Sequence, residues 1–111
     1  MEKFNLKNIK TTTFEAVLIN FKINSVNVDL TDYVIEMKLR KEYNGKVYLS
    51  LTSVSNAGIT ITDAVNGNFK INEQIIDIDP YNYIWDMKFT APDGTVKIWY
   101  GGEFLIEKNI T

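Results

Sequence analysis

Residues 33–40 read Tyr33-Val34-Ile35-Glu36-Met37-Lys38-Leu39-Arg40, an alternation of apolar and charged side chains whose reading decides the fold. Successive side chains of a β-strand point to opposite faces, so Tyr33, Ile35, Met37 and Leu39 are expected to face a core and Val34, Glu36, Lys38 and Arg40 to face water. Asn44-Gly45 follows as a hairpin signal, and Lys46 to Leu51 should bring the chain back with Val47, Leu49 and Leu51 turned inward. A second alternation sets Tyr83, Trp85, Met87 and Phe89 against Ile84, Asp86 and Lys88, and it runs into the turn residues Ala91-Pro92-Asp93-Gly94. With a four-residue loop, Phe89 pairs with Val96, Met87 with Ile98 and Trp85 with Tyr100, leaving Trp99 on the outer face. A three-residue loop with a Gly bulge buries Trp99 instead. The first register is preferred because it keeps the apolar residues of both strands on one face.

The rest of the chain repeats this style. Ile, Val, Thr, Tyr, Phe and Trp supply 46 of the 111 residues and Ala, Leu and Met only 14, a balance that favours strands. Short strands are expected near Phe4 to Ile9, over Thr13 to Ile23, and at Ile59 to Thr62 and Asn68 to Ile71 around Asp63-Ala64-Val65-Asn66-Gly67. The Thr13 to Ile23 strand is apolar on both sides. Its minority face, Phe14, Ala16 and Leu18, is either central in a sandwich or covered by a neighbouring subunit. Asn24-Ser25-Val26-Asn27 reads as a turn. Glu73 to Ile78 is the one helical candidate, a single turn with Asn72 as N-cap and Pro80 as its stop. The expectation is an all-β, antiparallel domain spanning 1–111.

Composition removes several chemistries. The chain has no Cys and no His, hence no disulfide, no thiolate or imidazole zinc ligand, and no Ser-His-Asp triad. Lack of Cys assigns no compartment by itself. A net charge of −2 carries no basic stripe. Lys38, Arg40, Lys41 and Lys46 form the only local basic cluster and read as a solvated strand face and loop, so no nucleic-acid partner is expected. Apolar runs are far shorter than the roughly 20 residues that span a bilayer, and Met1 to Lys7 shows no secretory pattern, so no membrane partner is expected.

Candidate chemistry is sparse. Asp29, Asp32, Asp63, Asp77, Asp79 and Asp86 are the candidates for paired acids or calcium ligands. Asp77-Ile78-Asp79 lacks the ligand count of a calcium loop, and turn carboxylates are the favoured reading. No cofactor and no catalytic residue is expected. Tyr43, Tyr48 and Trp99 fall on outward or loop positions and form the candidate contact surface. Tyr83, just after Asp79-Pro80, stands where a tyrosine corner would lie in an immunoglobulin-like sandwich, or is plain core filling. Gly101-Gly102 reads as a bulge or bend.

Taken in order, Val28-Asp29-Leu30-Thr31, Lys38-Leu39-Arg40, Gly58-Ile59-Thr60-Ile61, Gly67-Asn68-Phe69-Lys70-Ile71, Tyr83-Ile84-Trp85-Asp86-Met87, Asp93-Gly94-Thr95-Val96 and Gly102-Glu103-Phe104 form a series. Over roughly residues 14–108 it resembles a small β-sandwich module of bacteriophage virion proteins, similar to the N-terminal module of phage baseplate upper proteins. The resemblance implies an immunoglobulin-like β-sandwich of about seven strands. It also implies a non-enzymatic structural protein of the virion, in a tail, baseplate or head appendage, that contacts other virion proteins and forms a homo-oligomer. The competing expectation is a carbohydrate-binding module that stacks a glycan on Trp99, Tyr43 and Tyr48.

Overall fold

β-branched and aromatic residues in alternation leave the chain almost no helix: a computed structural model, which describes residues 2–111, contains thirteen strands and one 3-10 turn at Val54–Asn56. The strands are β1 (Glu2–Lys3), β2 (Leu6–Ile9), β3 (Thr13–Phe14), β4 (Val17–Asn20), β5 (Lys22–Ile23), β6 (Val26–Asn27) and β7 (Val34–Arg40). They continue as β8 (Val47–Thr52), β9 (Ile59–Asp63), β10 (Asn68–Ile71), β11 (Gln74–Ile75), β12 (Tyr81–Thr90) and β13 (Val96–Glu107).

The larger sheet has the order β1-β13-β12-β7-β8, with β2 also on β13. Its central strands are antiparallel, but β1 and β2 run parallel to β13, so the sheet is mixed and not purely antiparallel as expected. In the second layer β4 pairs with β10 and β10 with β9. β3 and β11 extend the β4–β10 ladder in the same register, Phe69 opposite Ile19 and Gln74 opposite Phe14. The expected strand over Thr13 to Ile23 is therefore one side of a long, interrupted antiparallel pair.

One apolar core lies between the layers. The larger sheet contributes Ile35, Met37, Leu39, Leu51, Tyr83, Trp85, Met87, Phe89, Tyr100, Phe104 and Ile106, and the facing layer Phe14, Ile59, Phe69 and Ile71, with Phe21 and Leu30 closing one end. Both sequence alternations thus point as expected, with Tyr33 half-buried ahead of β7. Phe89 sits at the centre of an aromatic cluster, its ring 4.8 Å from Phe21, 5.7 Å from Phe69 and 6.0 Å from Tyr100. Pairs in such arrangements contribute about 0.5–1.5 kcal/mol beyond their buried area.

Turn chemistry departs from the simplest reading. Asn24 and Ser25 both have positive φ, 51° and 64°, and make the tight two-residue hairpin between β5 and β6. Asn44-Gly45 instead belongs to a longer loop, closed by the Gly45 amide donating to the Glu42 carbonyl at 3.0 Å. Gly67, at φ 74°, lies so close to the backbone that a Cβ would stand 2.6 Å from the Val28 carbonyl oxygen and 2.7 Å from that of Phe21. Only glycine fits there.

Three further expectations change. Glu73 to Ile78 forms no helix: Gln74–Ile75 is extended against Thr13–Phe14, and Ile76 is buried, because the β-branched run satisfies its backbone by pairing across the layer. The β12–β13 register is shifted, Val96 facing Thr90 and Tyr100 facing Met87, with an irregularity between Lys88 and Met87. Finally, Gly101-Gly102 does not interrupt β13. Gly102 makes room for the N-terminal strand, since a Cβ on it would overlap the Phe4 carbonyl oxygen and come within 3.0 Å of Asn5 Oδ1.

Candidate contact surface and groove

The three sequence-selected aromatics do not form one surface. Tyr43, in the loop between β7 and β8, is 88% exposed. Tyr48 sits at an irregularity where Leu39 faces Leu49 but Arg40 faces Val47, leaving Tyr48 as the extra residue. That bulge turns Val47 to the Arg40 side and brings the Tyr48 ring 5.5 Å from Tyr83. Lys41 Nζ lies 4.9 Å from the Tyr48 ring centre and 4.7 Å from that of Tyr81, and Lys46 Nζ caps Tyr48 at 5.2 Å. Half of the expected basic cluster is thus spent on cation–π contacts within the chain.

Trp99 follows the same logic. It is the extra residue between Ile98, which faces Lys88, and Tyr100, which faces Met87. It is half-buried with its ring 5.6 Å from Phe21, and not on the outer face as the preferred register had it. A bulge does partly bury Trp99, as with the three-residue loop, but it arises inside the strand and not at the turn. A coplanar platform of Trp99, Tyr43 and Tyr48 is therefore not present.

Three of the candidate carboxylates, Asp29, Asp77 and Asp79, serve as turn and surface groups. Asp29 Oδ1 accepts from the Thr31 hydroxyl at 2.6 Å and from the Thr31 amide at 2.9 Å, and these bonds hold its carboxyl below the ordinary range. Lys10 Nζ lies 2.9 Å from Asp77 and 3.9 Å from Asp79, tying the end of the N-terminal segment to the loop before β12. Among the described residues, no three acidic side chains gather as a metal site would require. No helix among them is long and apolar enough to cross a membrane.

At the head of β12 the Tyr83 hydroxyl donates to the Asp79 carbonyl at 2.6 Å, which fixes the entry into the strand. Burial, and then the charge of Asp79, push the Tyr83 phenol above its ordinary value. Burial, and then Glu2, raise Tyr100 to about 12.

The outer face of the larger sheet carries a lattice that periodicity predicted in part. Register places Glu36 beside Lys88, Lys38 beside Asp86 and Arg40 beside Ile84, with Asp86 next to Gly101 and Ile84 next to Glu103 on β13. Lys3 of β1 stands opposite Gly101. A groove of about 520 Å³ runs through this part of the face, with Gly102, Phe4 and Trp85 in its lining. Tyr43, Lys38, Arg40, Asp86, Glu103 and Lys3 all border it. Lys3 and Glu103 were not singled out from the sequence, because their meeting depends on the parallel docking of β1. Gly101-Gly102 was the available signal.

A second feature is the free edge of β4. Among the described residues β10 is its only neighbour in the sheet, and its sequence Val17-Leu18-Ile19-Asn20 carries no charge. Leu18 is 80% exposed. Beside this edge, a cleft of about 330 Å³ separates β4 from Glu2, Phe4 and Tyr100.

The sequence matches no known protein-family model and no curated protein.

Proposed function

We propose that this chain is a non-enzymatic structural subunit of a bacteriophage virion, an immunoglobulin-like β-sandwich from a tail, baseplate or head appendage. It works by contact with further copies of itself and with other virion proteins, after assembly in the host cytoplasm. The observation that carries the reading is the open β4 edge. Among the described residues, the side of this uncharged strand away from β10 pairs with no strand, and Leu18 stands in solvent beside it. Exposed edges are normally blunted by charge, proline or a bulge, and an edge without these devices is a template for pairing with another chain. Repetition in a closed symmetric array would cover every such edge. The sandwich assignment draws support from the shared two-layer core, and the immunoglobulin-like assignment from the Tyr83–Asp79 hydrogen bond, which has the form of a tyrosine corner.

Sedimentation velocity tests the reading. The purified chain is expected to self-associate as concentration rises, and Leu18→Lys is expected to weaken that association while leaving the circular dichroism spectrum unchanged. A monodisperse monomer at high concentration that is also absent from purified virus particles would overturn the proposal.

A further inference from the structure

We infer that the groove on the outer face is a binding site for a neutral, hydroxyl-rich ligand, a short oligosaccharide. This goes beyond the assembly role and does not rest on it. The groove's volume, about 520 Å³, lies in the range of small-molecule sites. Its charges decide the ligand class. Lys3, Lys38 and Arg40 set three cations against the two anions Asp86 and Glu103. Among the described residues, none of Lys3, Arg40, Asp86 and Glu103 is in an ion pair, although Asp86 is the direct cross-strand neighbour of Lys38. Lys38 leans 3.9 Å from Glu36, and Arg40 donates only Nε, to the Gly45 carbonyl at 3.2 Å, so its outer guanidinium nitrogens are uncommitted.

Donors and acceptors of both signs are therefore held side by side without satisfying one another. A polyanion would meet Asp86 and Glu103, and a polycation would meet the three basic groups. A hydroxyl donates to a carboxylate and accepts from a cation at the same time, so a polyol satisfies both sets. Tyr43 at the border, almost fully exposed, offers a ring face to the C–H side of a sugar. The three-aromatic platform expected from sequence is thus replaced by one exposed aromatic at the border of a groove of mixed charge, with Phe4 and Trp85 in its lining.

The experiment is a ¹H–¹⁵N shift titration of the full chain with maltohexaose, cellohexaose, laminarihexaose and chitohexaose, with a heparin fragment as the polyanion arm. At least one neutral hexasaccharide is expected to shift the amides of Arg40, Tyr43, Asp86 and Glu103, with dissociation constants on the order of 0.1–1 mM. Asp86→Asn and Tyr43→Ala are each expected to weaken binding by about tenfold while leaving the remaining spectrum in place. Leu18→Lys, on the opposite layer, is expected to leave it unchanged. The inference is overturned if no neutral hexasaccharide shifts these amides, if the shifts map elsewhere, or if heparin binds more tightly. Groove shifts that grow with protein concentration in the absence of sugar would also overturn it, assigning the groove to a second copy.

Discussion

Replacing Gly102 by Ala should detach the N-terminal strand from the larger sheet. The added Cβ would overlap the Phe4 carbonyl oxygen, lie 2.9 Å from the Phe4 carbonyl carbon and 3.0 Å from Asn5 Oδ1. A carbon and a carbonyl oxygen rest at about 3.3 Å or more, and the obstacle is backbone, so the strand itself must move. What depends on its position can be named. The Phe4 amide donates to the Gly101 carbonyl at 3.0 Å, and the Glu103 amide donates to Asn5 Oδ1 at 3.0 Å. The Phe4 ring lies 4.8 Å from Trp85 and 5.8 Å from Tyr100. Exposing a half-buried Phe costs roughly 1–2 kcal/mol. Each lost hydrogen bond adds about 1 kcal/mol.

The expected destabilisation is about 3 kcal/mol out of a total of about 5–15, with a fall in Tm on the order of 10 °C. Urea unfolding followed by tryptophan fluorescence measures it, since Trp85 is buried beneath Phe4. Amide exchange should show residues 2–9 losing protection before the core does. A shortened chain starting at Leu6 provides the internal check, because the carbonyl that the new methyl strikes is gone. There Gly102→Ala should cost about 2 kcal/mol less than in the full chain, what remains being the strain of a side chain at φ 158°. A cost within about 0.5 kcal/mol of zero in the full chain, or an equal cost in both chains, would refute the reasoning.

Other consequences are open to measurement. Gly67→Ala, which combines positive φ with two carbonyl oxygens under 3 Å from the new methyl, should destabilise by more than about 3 kcal/mol, read by urea midpoint. Tyr83→Phe should cost about 1 kcal/mol through the lost bond to the Asp79 carbonyl, and a neutral result would remove that contact from the account of the strand's entry. Folding raises the phenols of Tyr83 and Tyr100, so the unfolded chain releases these protons first. Stability should hold below about pH 10 and fall as pH rises toward about 12, and Tyr100→Phe should flatten that alkaline limb. Trp99→Ser should lower stability by roughly 2 kcal/mol, because the ring packs on Phe21, whereas a freely exposed Trp would cost almost nothing.

What the residues alone determined follows from short-range periodicity. Ile35, Met37 and Leu39 and the row from Tyr83 to Phe89 are buried as their alternation requires, and the excess of β-formers became an all-β chain. Those features depend only on which side of a strand a side chain occupies, a property of the local backbone. Tertiary structure decided the rest. Tyr48 and Trp99 each became the extra residue of a bulge, an event set by the partner strand's register, and no local pattern records it. Glu73 to Ile78 became extended because Thr13–Phe14, some sixty residues earlier, offered it a pairing partner. The groove is completed by the parallel N-terminal strand, whose Lys3 and Phe4 join Lys38, Arg40, Asp86 and Glu103 in its lining. Charges that look merely solvated along one strand border a single groove when four strands align them.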